Sequence, residues 1–319
     1  MTRRGFVKSS LLASAALPLS LRAQNSPDAS PAAPAAGAAP GEALPRGKIG
    51  GQQFSRLMLG GNLLSGYAHS RDLAYVATLM RRYNTPVRIR ETLELAERLG
   101  ITTLNSWVMD SNQPLFDHWK NGGRMNWIAQ VRLDPKGGFD QARRAMDEGA
   151  AGVHMTGDTC ERLLAQEQFA KVGEMVDFIK TRKRLAGVGA HDLRVVRESE
   201  KQKVAAEFYV KTFHSHDYYT APRPGEGGAV GYHDNSWCND PQAVVDFMAT
   251  VTKPWVAFKI LAAGAIAPRA GFPHAVNSGA DFILVGMFDW QIEEDVALAR
   301  RVFAAASGPN SKRTRPWCG

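Results

Sequence analysis

Three histidines and two aspartates in the middle of the chain are of the types that bind divalent metals. His154, His191 and His214 each lie in or just after a short apolar run, with Asp192 and Asp217 close behind the second and third. Imidazole and carboxylate groups suit Zn²⁺, Mn²⁺ or Fe²⁺. If the three runs are neighbouring strands, their ends converge. The pattern then predicts a divalent metal held by these five residues.

Two of these residues also have a purely structural interpretation. His154 can be a hydrogen-bonded residue at a strand end. Asp192 precedes an amphipathic stretch and can be the N-cap of a helix, because its carboxylate would accept a hydrogen bond from a free backbone N–H. Both interpretations stay open from the sequence.

Lys259 is a candidate catalytic residue because it lies within an apolar run, Ala257-Phe258-Lys259-Ile260. A buried lysine must be paired, or its pKa falls through desolvation. An amine in that state suits a general base, a Schiff-base nucleophile or a clamp on a substrate oxygen. A structural ion pair inside the fold is the alternative. Strand alternation puts Lys259 on the same side as Ala257.

Aromatic and amide side chains predict a binding surface for an organic ring such as a sugar. Residues 217–240 are rich in Gly, Pro, Tyr, His and Trp, which is typical of a functional lid loop. The expected ligand-binding residues are Trp107, Gln130, Tyr218, Tyr219 and Trp237, and Asn105 joins His154 and Lys259 as a catalytic candidate.

The elements that position these residues alternate between strand and helix. Eight short apolar runs predict strands at 56–60, 102–106, 126–131, 152–155, 186–190, 208–213, 255–260 and 282–286. Helices are expected after Thr85-Pro86, at 160–183, after Asp240-Pro241 and at 291–303. Eight such units predict one α/β domain, a (β/α)8 TIM barrel, with its working residues at the C-terminal strand ends. An open doubly wound sheet is the competitor, but no glycine-rich fingerprint follows the first strand.

The N-terminal segment predicts export from the cytoplasm. Arg3 and Arg4, followed by Phe6, Lys8 and an apolar run, resemble a twin-arginine signal peptide over residues 1–23. Residues 24–45 are a Pro/Ala-rich stretch expected to be disordered. The barrel is expected at 46–310, followed by a tail at 311–319. We therefore expect a periplasmic or secreted protein that engages the twin-arginine export machinery.

Charge and cysteine content exclude other classes of protein. The net charge is +8, but four of the 39 basic residues lie in residues 1–23, which leaves 35 against 31 acidic residues. Because basic and acidic residues nearly balance and no cluster combines basic with aromatic residues, the sequence does not predict nucleic-acid binding. Cys160, Cys238 and Cys318 are too few for a disulfide framework, and their pairing stays open, as does the oligomeric state.

Several segments resemble the aldo/keto reductase superfamily. They are residues 48–61, 91–105, 256–266 and 281–296, which are similar to that family's opening hairpin and first strand, first helix and second strand, seventh strand, and eighth strand with final helix. The resemblance implies a (β/α)8 barrel. It also implies a catalytic Asp, Tyr, Lys and His with a nicotinamide cofactor.

Most of that family tetrad has no counterpart in this sequence. His154 matches the family position, whereas the stretch 104–107 reads Leu-Asn-Ser-Trp and Gln130 stands where the lysine is expected. We therefore do not expect NADP. The leading hypothesis is an exported enzyme of isomerase, epimerase or lyase type, acting on a carbohydrate or hydroxy-carbonyl compound with a divalent metal. The alternatives are an NADPH-dependent reductase and a non-catalytic barrel that binds a small ligand.

Overall fold

The computed structural model describes residues 43–108, 112–134, 136–223, 231 and 234–306. Eight parallel strands close into a barrel in which each strand pairs with the next along the chain and the last pairs with the first, and helices follow the strands along the chain. This confirms the predicted (β/α)8 fold. The predicted signal peptide, most of the 24–45 segment, the 311–319 tail and Cys318 lie outside the described residues.

The strands agree with the apolar runs to within two residues at each end. The barrel strands are β3 (Leu57–Gly60), β4 (Thr103–Trp107), β5 (Asn126–Val131), β6 (Gly152–Met155), β7 (Leu185–Ala190), β8 (Phe208–Thr212), β9 (Trp255–Phe258) and β10 (Phe282–Val285). Nearly every one of these residues is buried, because the core packs on both faces of a parallel strand.

Ten α-helices lie in the described ranges. They are α1 (Tyr75–Tyr83), α2 (Pro86–Arg98), α3 (Gln113–Lys120), α4 (Asp140–Asp147), α5 (Gly157–Ala165), α6 (Ala170–Thr181), α7 (Leu193–Lys201), α8 (Pro241–Met248), α9 (Pro268–Asn277) and α10 (Asp289–Ala306). Thr85 and Asp240 cap α2 and α8 with their side chains, as the Thr-Pro and Asp-Pro pairs predict. In the described part of the chain, no helix is both long and apolar enough to span a bilayer.

The observed helices differ from the predicted ones in two places. The helix expected at 160–183 is two helices, α5 and α6, because Glu167 between them has a left-handed backbone with φ +57° that no helix accommodates. Helix α1 was not predicted. None of its residues is buried, so it lacks the core-facing stripe from which sequence patterns identify a helix.

A hairpin closes the N-terminal end of the barrel. Strands β1 (Arg46–Ile49) and β2 (Gln52–Ser55) pair antiparallel across Gly50 and Gly51, both with positive φ as a two-residue hairpin turn requires. Ile49 and Phe54 are fully buried and pack with residues of the barrel interior. The hairpin therefore fills the bottom of the barrel with apolar side chains.

The barrel interior is small and apolar, and it is distinct from the larger core between strands and helices. Its members are Ile49, Phe54, Met58, Ile128, Leu185, Phe208, Val210, Val256, Phe282 and Leu284. The alternate strand residues, such as Val153 and Ala257, pack outward against the helices. Residue parity along each strand therefore decides whether a side chain faces the barrel interior or the helices.

Candidate active site

Three polar side chains lie together at the upper end of the barrel interior. Gln130 Nε2 donates to Asn105 Oδ1 at 2.6 Å, and Asn105 Nδ2 lies 3.0 Å from His154 Nε2. The other ring nitrogen, His154 Nδ1, faces the Met155 carbonyl at 3.3 Å. We call Asn105, Gln130 and His154 the polar layer. The structure thus brings together three of the predicted site residues on adjacent strands β4, β5 and β6.

Burial keeps the imidazole of the polar layer neutral. His154 is 3% exposed, and this desolvation lowers its pKa to about 4. A neutral ring that accepts from Asn105 donates through Nδ1 to the Met155 carbonyl. Gly189 leaves room for this ring, since a Cβ there would lie 2.5 Å from the Met155 carbonyl oxygen and 3.2 Å from His154 Nδ1.

Lys259 follows strand β9 directly and reaches the mouth of the barrel, by which we mean the C-terminal strand ends and the loops above them. Strand alternation would direct it outward with Ala257, towards the helices. Instead its backbone turns left-handed, with φ +57°. Its Nζ then lies 3.6 Å from the centre of the Trp237 ring. A non-glycine residue in this backbone region is uncommon and is often found at functional sites.

A chain of hydrogen bonds connects the Lys259 amine to a carboxylate. Lys259 Nζ lies 2.9 Å from His69 Nε2, and His69 Nδ1 lies 3.0 Å from Asp234 Oδ1. The backbone N–H of Arg71 donates to Asp234 Oδ2 at 3.0 Å and holds that carboxylate in place. We call this chain the Lys259–His69–Asp234 relay. It is the arrangement in which an oriented imidazole exchanges protons with a nucleophile or base.

Burial, and not the charge of its neighbours, favours an uncharged amine at Lys259. Burial lowers the pKa of Lys259 from 10.5 to about 7, although Asp234, Glu161 and Asp158 pull it upward. The side chain is nevertheless half-buried and not sealed from solvent. The pKa of His69 is lowered, mainly by burial and secondly by the charge of Lys259, whereas Asp234 acts to raise it. Near neutral pH, Lys259 can therefore act as a neutral amine and His69 as a proton acceptor.

Aromatic rings line one side of the mouth. Trp107 ends strand β4, and its Nε1 donates to Asn62 Oδ1 at 3.3 Å. Its ring stacks with Tyr67 at 5.9 Å, and the Arg132 guanidinium lies 4.6 Å from its centre. Arg132 also pairs with Asp158 at 2.9 Å. Trp107 therefore lies at the mouth, held by groups that the sequence did not single out.

The long loop after β8 contributes Trp237 but not every aromatic residue predicted from it. Trp237 is buried, and its ring lies beneath the Lys259 amine and against His69 at 4.8 Å. Tyr218 is half-buried, and its hydroxyl donates to the Asn235 carbonyl at 3.0 Å. Tyr219 is fully exposed, and its role as a ligand-binding residue stays a prediction. Tyr232 and His233 lie outside the described residues.

The five predicted metal ligands are not assembled into one site. Among the residues that the structure describes, no group of three or more His, Cys, Asp or Glu side chains is placed to hold an ion. His154 is engaged in the polar layer, and His191 Nδ1 faces Glu161 at 3.3 Å. Asp217 is exposed. Asp192 is the N-cap of α7, accepting from the Arg194 backbone at 2.8 Å. The capping interpretation of Asp192 is therefore the correct one.

His214 has no ring nitrogen left for a metal. Its Nε2 accepts from the backbone N–H groups of Trp237 and Cys238 at 3.0 and 3.1 Å, and Nδ1 donates to the Ser215 carbonyl at 2.9 Å. Burial lowers its pKa to about 4, which keeps the ring neutral and able to accept both bonds. His214 therefore anchors the segment that carries Trp237 and does not line the mouth.

The two partners of Lys259, His69 and Asp234, were not predicted from the sequence. They lie in the loops after β3 and β8, and 165 positions separate them. The only signal in the sequence was that both loops follow the C-terminal ends of barrel strands. Positions outside the predicted strands favour a surface location for His69, His118 and His274. Instead His69 is in the relay, His118 is buried against Glu97 at 2.5 Å, and His274 stacks on Phe213 at 4.8 Å.

Solved structures similar to this chain show the same fold. A Pseudomonas aeruginosa protein assigned as an aldo-keto reductase matches with a TM-score of 0.54 and 16% identity, over 82% of this chain and 98% of that one. An aldo-keto reductase from Bacillus halodurans in its holo form matches with a TM-score of 0.54 and 11% identity, over 85% and 100%. No protein-family model and no curated protein sequence matches the chain. At these identities the likeness shows only that the (β/α)8 barrel fold is shared with aldo-keto reductases, and activity must be argued from the site.

Proposed function

We propose that this protein is an enzyme that acts on a small hydroxy-carbonyl compound, such as a sugar in its open-chain form, at the mouth of the barrel. The reaction is of isomerase, epimerase or lyase type, in which a proton moves at the carbon beside the carbonyl. The observation that carries this proposal is the Lys259 amine, which lies 2.9 Å from His69 Nε2 and 3.6 Å from the centre of the Trp237 ring.

The chemistry of the mouth fits such a reaction. Proton abstraction next to a carbonyl needs a base whose pKa lies near the working pH, and burial lowers the pKa of Lys259 to about 7. His69 and Asp234 provide a path for the proton. The rings of Trp107 and Tyr67 supply flat apolar surface for a sugar carbon skeleton. The five candidate metal ligands do not converge, so the proposal depends on Lys259.

Proton exchange with heavy water tests this proposal on a range of candidate substrates. A panel of small hydroxyaldehydes and hydroxyketones is incubated with the protein in D₂O, and NMR follows loss of the proton beside each carbonyl. We expect catalysed exchange for at least one compound, and its loss in Lys259→Met. Lys120→Met is the matched control, because Lys120 is largely exposed on α3. No exchange above the rate of the control reaction without protein would refute the proposal.

A nicotinamide-dependent reductase is the second candidate. Its support is the aldo-keto-reductase-like fold together with His154 at the end of β6. The polar layer fits that chemistry poorly, because its three side chains hydrogen-bond one another and contain no phenol to protonate a substrate. Quenching of tryptophan fluorescence by NADPH tests this candidate, since Trp107 and Trp237 line the mouth. Absence of quenching at millimolar cofactor would remove it.

We also propose that the protein works outside the cytoplasm, on the basis of the Arg3-Arg4 sequence and the apolar run behind it. Fractionation of cells that express the full chain tests this. We expect the protein in the periplasm or medium, and retention in the cytoplasm when both arginines are changed to lysine. Equal distribution of the two forms would contradict export by this route.

A further inference from the structure

We propose that Lys259 forms a covalent imine with the carbonyl carbon of an open-chain hydroxyaldehyde or hydroxyketone, with His69 and Asp234 moving the protons. This deepens the proposed function and rests on it. A base only has to touch a substrate proton, whereas an imine requires a neutral, accessible amine with a proton acceptor beside it.

The placement of the amine meets the first requirement. The left-handed backbone at Lys259 directs the side chain away from the outer layer of Ala257 and into the mouth. The structure offers a contrast in Lys211, which is 1% exposed. Its Nζ donates to the His191 carbonyl, the Thr212 carbonyl and Thr212 Oγ1 at 2.7 to 3.0 Å. All three hydrogens of the Lys211 ammonium are used, so its role is structural. Lys259 is half-buried and contacts an acceptor nitrogen and a ring face.

The partners of Lys259 meet the second requirement. His69 Nε2 faces the amine, and His69 Nδ1 faces Asp234, so the ring can take a proton from Nζ while the carboxylate stabilises the resulting charge. Asp234, Glu161 and Asp158 act on the charge at Lys259 from the surrounding loops and helix α5, and His191 acts on His69. The Trp237 face adds a cation–π contact. The three carboxylates and the Trp237 ring favour the positive charge of a protonated imine.

The reaction balances without an oxidant or a reductant. The neutral Nζ attacks the carbonyl carbon, the N–C bond forms, and the carbonyl electron pair moves to oxygen. One amine hydrogen passes through His69 to that oxygen, which gives a carbinolamine. The second amine hydrogen follows the same route, the C–O bond breaks, and water leaves. The products are one imine and one water, and attack of water on the imine reverses the sequence.

Reductive trapping tests the inference on the intact protein. The protein is incubated with glycolaldehyde or dihydroxyacetone and cyanoborohydride, and peptide mass spectrometry locates the reduced adduct. At pH 7, the lowered pKa gives Lys259 roughly a thousandfold larger neutral fraction than an ordinary lysine. We therefore expect modification at Lys259 at least about tenfold faster than at exposed Lys120, and none at Lys211. Labelling of Lys259 no faster than Lys120 would overturn the inference.

A His69 variant tests the relay separately. We expect His69→Ala to slow adduct formation about tenfold, and imidazole added to the buffer to restore part of the rate. Restoration by imidazole reports proton transfer and not simply packing. An unchanged rate in His69→Ala would refute the role of the relay.

The two proposals fail in distinguishable ways when trapping and proton exchange are measured on the same compounds. Exchange together with an adduct at Lys259 supports both. Exchange without an adduct overturns the imine and leaves Lys259 as a base. An adduct without exchange supports the imine and refutes the proposed reaction type. Neither adduct nor exchange overturns both.

Discussion

Replacing Lys259 by methionine should change how the stability of the protein depends on pH. The pKa of Lys259 is lowered from 10.5 to about 7 by burial, so between these values the unfolded chain binds more protons than the folded one. Stability therefore rises with pH across this window, by up to about 1.4 kcal/mol per pH unit. Because the folded amine is still half protonated near pH 7, the expected gain between about pH 7 and pH 9 is about 2 kcal/mol. The Lys259→Met variant has no amine at this position, so it lacks this pH-dependent contribution to stability.

Urea denaturation at constant temperature measures the effect. The free energy of unfolding is determined for the wild type and Lys259→Met at about pH 7, 8 and 9, where the two-state midpoint and slope are both fitted. The stability of the wild type relative to the variant should rise by about 2 kcal/mol over this range. Lys120→Met, an exposed control, should show a much smaller change. A difference between wild type and Lys259→Met that does not change with pH would refute the lowered pKa and the reasoning built on it.

Three further predictions concern parts of the fold that support the site. Burial lowers the pKa of His214 to about 4, so the contribution of the neutral ring to stability is intact above about pH 6.5 and is lost as the pH falls. Measured by urea denaturation relative to His214→Gln, the wild type should lose about 2 kcal/mol of stability between about pH 6.5 and 4.5. Ala263 has φ +56°, so Ala263→Gly should raise stability by about 0.5–1 kcal/mol, whereas Ala265→Gly should lower it because φ at Ala265 is an ordinary −72°. A lower melting temperature for Ala263→Gly than for the wild type would contradict this. Asp192→Ala should lower the free energy of unfolding by about 1 kcal/mol through loss of the helix cap, and Asp192→Asn should retain most of that stability. Equal losses of stability in the two variants, measured by urea denaturation, would argue against capping.

The barrel could be predicted from the sequence because each strand is buried on both faces and reads as an apolar run. The runs at 126–131 and 152–155 match β5 and β6 at both ends. The break between α5 and α6 could not be predicted in the same way. Apolar spacing continues from Leu163 to Ile179, and the feature that separates the helices is the backbone conformation of Glu167. Periodicity reports which side chains are buried and contains no information on a single left-handed residue.

Which site residues lie close together was predictable only for those on strands. Asn105, Gln130 and His154 belong to neighbouring strands, so the barrel pattern alone predicts their proximity. His69 and Asp234 lie in loops, and no spacing rule connects two loops that are far apart in the chain. Converging strand ends bring the backbones of the predicted metal ligands together but do not fix the direction of each side chain. His214, for example, turns towards the backbone of its own loop.

The hairpin at the base of the barrel limits how a substrate can approach Lys259. Ile49 and Phe54 plug the end opposite the mouth, so no chain can be threaded through the barrel. Substrate and product must exchange through the same opening, and one must leave before the next enters. Since the reducing end is the part of a sugar chain that opens to a free carbonyl, the chemistry proposed at Lys259 requires a monosaccharide or a chain end at this one opening.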